Sequence, residues 1–467
     1  MNRGIMRLGL LSGLLFSISV LATPLGRNYS EPVTEAQYLA AKSAMDAFIH
    51  STQIVLTDPS QEFYKREHAQ PYFGKYDEQA REHKLHPIGQ RIRGTVLLFH
   101  GFTSRPHQMA VLHEYLFKLG FNVYNCGLPN HHQLPGPSLV YTPDPRQWPQ
   151  VVLKKELRDR ILAIYNDTEK RNRLLAKFLV SGNTNPLGGS QEEQSAFLMQ
   201  VQQIIDSKVP NSGFNVLEFY SAYRNPNGEL FKKYFLDGHR KYVEYAQARL
   251  KEVEPLPGPK YALGLSVGGT VALALAATEP EKIDGVVAWA PLLRTFGEEN
   301  RMKVLLVGPS NQVMTQNRGA HFNVSSYTAA EVFGMSVLNL YASNEELSVP
   351  TFMVLTESDW ETAADIDASR RFFQGIKGRS NQNVLYEYRP EHRVPHALAD
   401  PKEATVGDRG AANGILVTNE YWRSLYKETA RFFADGKVEV SNLETKEGDP
   451  DLRRPEDNRT FGFIPSN

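Results

Sequence analysis

Lys260-Tyr261-Ala262-Leu263-Gly264-Leu265-Ser266-Val267-Gly268-Gly269-Thr270-Val271-Ala272-Leu273-Ala274-Leu275-Ala276-Ala277 is the stretch on which the reading of this sequence turns. A short apolar run leads into Gly-Leu-Ser-Val-Gly, and small helix-forming residues follow. A serine between two glycines at a sharp strand-to-helix turn is the pattern of a nucleophile elbow, in which strained backbone lifts the hydroxyl clear of a sheet. Gly264 and Gly268 are needed because a side chain at either place would collide with the neighbouring strand or with the turn. The pentapeptide alone is a weak signal, since Gly and Ser are common. The strand before it and the helix after it give it force.

Working outward, Gly94-Thr95-Val96-Leu97-Leu98-Phe99 is a continuous apolar run, as expected of a strand buried on both faces of a parallel sheet. It ends at His100-Gly101-Phe102-Thr103, and a helix over His107–Leu119 and a strand at Asn122–Asn125 follow. That is a βαβ rhythm, so the class is α/β with a parallel sheet. On the other side of the elbow, Gly285–Ala290, Pro350–Leu355 and Asn383–Tyr388 read as further strands. A helix over Gly238–Glu254 reads as the crossover into the elbow strand, with Ala363–Phe373 and Asn419–Phe433 as later helices. Residues 292–346 read as a variable stretch of mixed helix and loop.

The flanks and the interruption set the domain organisation. Met1–Arg7 carries two arginines and no acid, Leu8–Leu21 is largely apolar, and Val20-Leu21-Ala22 offers a cleavage site. This is the layout of a secretory signal peptide over residues 1–22. The apolar run would make about 21 Å of helix against a roughly 30 Å hydrocarbon core, which argues against a spanning anchor. Residues 23–91 read as an N-terminal helical and mixed segment, with an amphipathic helix over 32–50. The core occupies 92–135 and 236–436. Residues 136–235 are far more than one crossover needs and read as a helical insertion before the elbow strand. Leu153, Leu157, Ile161 and Ile164 recur there at helical spacing, and so do Phe197, Leu198, Val201, Ile204 and Ile205 behind a Ser190/Glu193 capping box. The insertion is a lid or simply a packed subdomain, because amphipathic helices pack in either case. From Lys437 to Asn467 the chain is polar and reads as a poorly ordered tail.

The 467 residues carry 52 basic and 52 acidic side chains, and removal of residues 1–22 would leave a formal charge of −2. A near-neutral chain without a basic block gives no electrostatic reason to expect nucleic acid. Cys126 is the only cysteine, so no intramolecular disulfide forms, and it reads as a small apolar packing residue. The N-x-S/T triplets at Asn28, Asn166, Asn323 and Asn458 matter only in a glycosylating host.

Taken together, His100-Gly101-Phe102, Gly264-Leu265-Ser266-Val267-Gly268-Gly269, Asp359 and His396 resemble the α/β-hydrolase superfamily of serine esterases and lipases, over roughly 92–135 and 237–435. The order Ser, Asp, His is the one that superfamily uses. After Leu128-Pro129 the family commonly has Gly-His-Gly; this chain has Asn130-His131-His132. The resemblance implies a mostly parallel sheet flanked by helices, with the 136–235 insertion as its cap. It also implies Ser266 as nucleophile, His396 as base and Asp359 as the acid that orients it. The amides of Phe102 and Val267 would form the oxyanion hole. Glu357, Glu361 and Asp365 are close rivals of Asp359, and His392 is the rival of His396. His392 and His396 do not read as a helical metal pair, because Pro395 intervenes and no H-E-x-x-H accompanies them.

No cofactor or metal is implied. The expected partner is a small-molecule acyl substrate, with peripheral membrane or lipid contact as an open possibility. A peptidase of the same fold and a catalytically silent scaffold are the rival functions. Aromatics at Phe214, Phe219, Tyr220, Tyr223, Phe231, Tyr234 and Phe235 suit an apolar acyl pocket, and suit equally the core that holds the cap down.

Overall fold

A computed structural model describes residues 29–57, 83–102, 104, 106–128, 190–208, 210–211, 215–218, 221, 229–230, 238–295, 313–315, 321–357, 364–399, 410–412, 415–417 and 419–446. The expected signal peptide, residues 129–189 with Asn130-His131-His132, and the seven insertion aromatics lie outside the described residues, as do Asp359, Glu361 and 447–467.

Helix α1 (Glu35–Thr57) precedes strand β1 (Gly94–Phe99), helix α2 (Ala110–Lys118) and strand β2 (Phe121–Cys126). Helix α3 (Gln191–Lys208) lies in the insertion. Helix α4 (Gly238–Val253) leads into β3 (Lys260–Leu265), α5 (Val267–Thr278) and β4 (Gly285–Trp289). A small hairpin of β5 (Val313–Thr315) and β6 (His321–Asn323) is followed by α6 (Val324–Ser343). Then come β7 (Thr351–Thr356), α7 (Ile366–Ile376) and β8 (Val384–Tyr388), a hairpin of β9 (Gly410–Ala412) and β10 (Ile415–Val417), and α8 (Trp422–Asp435).

Six strands pair in the order β2-β1-β3-β4-β7-β8, and every pairing in that sheet is parallel. Alternation along each strand sends side chains to two separate cores. Leu97, Phe99, Ala262, Val286, Ala288 and Met353 pack on one face with α1, α4, α5, α6 and α7. Val96, Leu98, Leu263, Val287 and Trp289 pack on the other with α2 and α8. The central strands are buried along their whole length, which is why they read as unbroken apolar runs. Helix α5 is buried from Val267 through Ala276, and its small residues let it lie close under the sheet.

Three sequence readings need adjustment. Helix α1 runs on to Thr57, past the expected end at 50. The stretch read as mixed contains one twenty-residue helix, α6. The boundary of the polar tail at Lys437 is also corrected, because residues 437–446 dock on α8. Leu443 is fully buried, and the buried Glu428 carboxylate accepts hydrogen bonds from the Glu439 amide (2.8 Å) and the Asn442 side chain (2.7 Å). One apolar anchor and one buried acceptor outweigh a polar composition. In the insertion, Leu198 and Val216 are buried while Met199 and Leu217 are exposed. The Val216 amide donates to Gln202 (2.9 Å), tying residues 215–218 to α3.

Candidate active site at the carboxyl edge of the sheet

Ser266 follows the last residue of β3 and precedes the first of α5. Its backbone sits at φ 56°, ψ −119°, a region that L-residues rarely occupy and that costs about 1–3 kcal/mol. Such strain persists only when the surroundings over-determine it, and here they do. The Ser266 amide donates to Trp289 O (2.9 Å), and its carbonyl accepts from the Thr270 amide (3.1 Å) and the Leu292 amide (3.0 Å).

The flanking glycines are required by contact. A Cβ on Gly264 would sit 2.1 Å from the backbone of Gly268, and one on Gly268 would sit 2.1 Å from Phe99 O and 2.5 Å from His100 O. The same closeness presses the turn after β1 against the elbow: a Cβ on Gly101 would lie 3.6 Å from Ser266 Cβ.

That turn is braced from inside. The Leu128 amide donates to His100 Nε2 (3.0 Å), so the proton is on Nδ1, which donates to Gly101 O (2.8 Å). Both ring nitrogens of this buried histidine are therefore engaged, and it crosslinks the turns after β1 and β2. The Gly101 amide donates to the Gln108 side chain (2.9 Å). The next amide, of Phe102, and that of Val267 are the two assigned to the oxyanion hole. Val267 is the first residue of α5, where amides have no acceptor within the helix and the helix dipole is positive.

On the other side, β7 and β8 end in register at Thr356 and Tyr388. The chain then turns through Arg393, at φ 51°, and comes back towards β7. The Thr356 hydroxyl donates to Val394 O (2.7 Å), which fixes the loop carrying the half-buried His396 beside the carboxyl end of β7. Further along, the Asn419 side chain donates to Leu398 O (3.0 Å) and the Tyr426 hydroxyl to Ala399 O (2.7 Å). Ser266 and this loop thus lie at the same edge of the sheet, where parallel α/β sheets hold their ligands.

The described rivals each have a local partner. His392 Nδ1 accepts the Arg389 amide (2.9 Å), and its ring packs edge-on against Tyr388 and Tyr421, so it closes a local turn. Glu357 pairs with Arg370 (3.1 Å), and Asp365 caps α7 by accepting the Ala368 amide (2.9 Å). Asp359 lies outside the described residues. Cys126 is buried, with its thiol on Tyr124 O (3.4 Å), and burial pushes its pKa well up, as befits an inert packing residue. Gln108, Thr356 and His100 as a brace are what sequence reading missed. Gln108 and Thr356 carry no motif, and each meets a backbone group, the Gly101 amide seven residues away and the distant Val394 carbonyl. Among the described residues, no group of three or more His, Cys, Asp or Glu could hold a metal, and no helix is long and apolar enough to cross a membrane.

A parallel sheet in this strand order, with a strained serine at the exit of its third strand and the turn after its first strand packed against it, decides the architecture. The chain has the α/β-hydrolase fold. No protein-family model and no curated sequence matches this chain. Solved structures similar to it include a monoacylglycerol lipase from Paleococcus ferrophilus, with 14% identity over 74% of this chain and 95% of that one (TM-score 0.40). A soluble variant of monoglyceride lipase from Saccharomyces cerevisiae has 11% identity over 79% and 99% (TM-score 0.40). Est1E from Butyrivibrio proteoclasticus, bound to ferulic acid, has 13% identity over 65% and 81% (TM-score 0.31). At these scores the likeness carries no weight beside the strand order and elbow of the chain itself.

Proposed function

We propose that this chain is a serine hydrolase that cleaves carboxylic esters. The observation that carries the reading is Ser266, held by three backbone hydrogen bonds in a left-handed conformation at the mouth of the sheet. The strain of about 1–3 kcal/mol falls on a serine that is only 4% exposed, at the strand-to-helix turn where a nucleophile elbow would place it.

In this reading His396 takes the Ser266 proton as the hydroxyl attacks the ester carbonyl, because a serine hydroxyl is a poor nucleophile without a base in reach. Asp359 holds the imidazole in the productive tautomer and stabilises the imidazolium. Negative charge on the carbonyl oxygen is met by the Phe102 and Val267 amides, each such donor being worth about 3–4 kcal/mol in the transition state. His396 returns the proton to the leaving alcohol, and water then releases the acyl group by the same steps in reverse order. No cofactor takes part. Export through residues 1–22 belongs to the same proposal.

The test is steady-state turnover of a panel of acyl esters and aminoacyl amides by the parent protein and Ser266→Ala. Ester turnover should exceed amide turnover and fall by about 10⁶ in the variant. A preference for the amides establishes the peptidase instead, and no turnover of any substrate by folded parent protein establishes the scaffold.

A further inference from the structure

The segment that leaves β4 touches both halves of the proposed site, and one buried ion pair holds it. Ala290 is another left-handed non-glycine residue, at φ 41°, and its amide donates to Val354 O (2.8 Å). The Leu292 amide donates to Ser266 O (3.0 Å), and the Thr270 hydroxyl donates to Leu292 O (2.9 Å). Two residues on, Arg294 O accepts the Asp365 amide (2.8 Å), and Thr295 bridges antiparallel to Ala364. Thus residues 292–295 contact the nucleophile turn at one end and, at the other, the chain just after the segment that contains Asp359.

Helix α6 grips this segment. Arg294 Nε donates to Glu331 Oε1 (2.8 Å), and the other oxygen of the same carboxylate accepts the Thr295 amide. Glu331 is 0% exposed. One turn further along α6, a Cβ on Gly334 would fall 2.4 Å from Leu293 O and 2.5 Å from Leu292 O, so the helix backbone lies directly on the segment. A buried ion pair is a poor way to gain stability, because apolar residues of similar size often do as well or better. What apolar residues cannot do is accept a guanidinium and a backbone amide in two fixed directions. The pair therefore fixes where Arg294 and Thr295 stand relative to α6.

We propose that Glu331 and Arg294 are positioning residues, a latch that keeps the chain at Ala364-Asp365, where it enters α7, aligned with the Ser266 turn. The inference rests on the serine-hydrolase reading above for its effect on turnover, but not for its effect on the backbone. The test is the double variant Arg294→Met/Glu331→Leu, which removes both charges together and so avoids stranding one. It is compared with the parent by thermal melting, ester kinetics and peptide-resolved hydrogen exchange. The latch requires a folded variant whose kcat falls about 10- to 100-fold, as a misplacement of about 1 Å would produce, while KM stays within about twofold. It also requires faster exchange in peptides covering Leu292 and Asp365. Parent-like exchange in those peptides overturns the latch whether or not Ser266 is a nucleophile. Faster exchange with parent-like kcat overturns the positioning role. If Ser266→Ala keeps parent activity, the hydrolase reading fails by itself, and the exchange result still judges the latch.

Discussion

The two sides of the site are held in different ways. The Ser266 turn itself depends first on missing side chains: Gly264 and Gly268 let backbones approach to distances no Cβ permits. The His396 side is built from side chains of distant residues reaching backbone carbonyls: Thr356 to Val394, Asn419 to Leu398, Tyr426 to Ala399. The first kind of construction is rigid and tolerates no added atom. The second is a set of single hydrogen bonds, each of which a mutation removes alone. The elbow should therefore fail all at once, and the histidine loop by degrees.

The largest effect expected separates function from stability at the elbow. Ser266→Gly should lower turnover by about 10⁶ yet raise the melting temperature, since glycine relieves about 1–3 kcal/mol of backbone strain against about 0.5–1 kcal/mol of added chain entropy. Kinetics and calorimetry on one preparation check both; a lower melting temperature would mean that Ser266 is not strained.

Next comes the choice between the two histidines. His396→Ala should reduce turnover by roughly 10⁴ or more. His392→Phe, which preserves the ring contacts and loses the Arg389 amide bond, should stay within about threefold of the parent. The opposite pattern would transfer the base to His392.

A graded loss is expected at Thr356→Val, which keeps the shape and leaves Val394 O without its hydroxyl donor. Stability should fall by about 1–3 kcal/mol and kcat by about 10-fold, with KM little changed. Denaturant melts and ester kinetics measure these, and an unchanged kcat would show that the His396 loop is held elsewhere.

The smallest effect on turnover, though not on stability, concerns pH. His113, on α2 beyond the turn after β1, is buried, and desolvation holds its pKa down to about 3. The folded state therefore keeps it neutral between about pH 6.5 and pH 3, while the unfolded chain binds a proton. Stability should fall on acidification by about 1.4 kcal/mol per pH unit in that window from this group. His113→Leu should flatten the slope by that amount in urea melts taken from pH 7 to pH 4. An unchanged slope would show that His113 is protonated in the folded protein.

How much of this was legible in the sequence follows the same division. The elbow, the turn at His100-Gly101-Phe102 and the six strands of the sheet were readable, because burial on both faces leaves continuous apolar runs and close backbone approach leaves glycines. Helix α6 was not read as one helix, because residues 330–334 are buried in succession, so its apolar positions there give no single stripe. The docking of 437–446 was hidden by polar residues whose partner, Glu428, is itself a buried charge on α8. His392 and His396 could not be told apart from spacing alone. What separates them is a ring nitrogen on the Arg389 amide in one case and a loop tied to Thr356 in the other. The Gln108 brace leaves no pattern because it depends on how the turn at Gly101 folds back, and the Arg294–Glu331 pair because it joins residues far apart in the chain.

The most direct measurement is covalent labelling of the intact folded protein with a fluorophosphonate, followed by mass mapping of the adduct. One phosphonyl group should be found on the peptide containing Ser266, and it should vanish in Ser266→Ala and slow severely in His396→Ala. A folded protein that takes up no label, or takes it up on another residue with equal ease in Ser266→Ala, would contradict the assignment of Ser266 as the nucleophile.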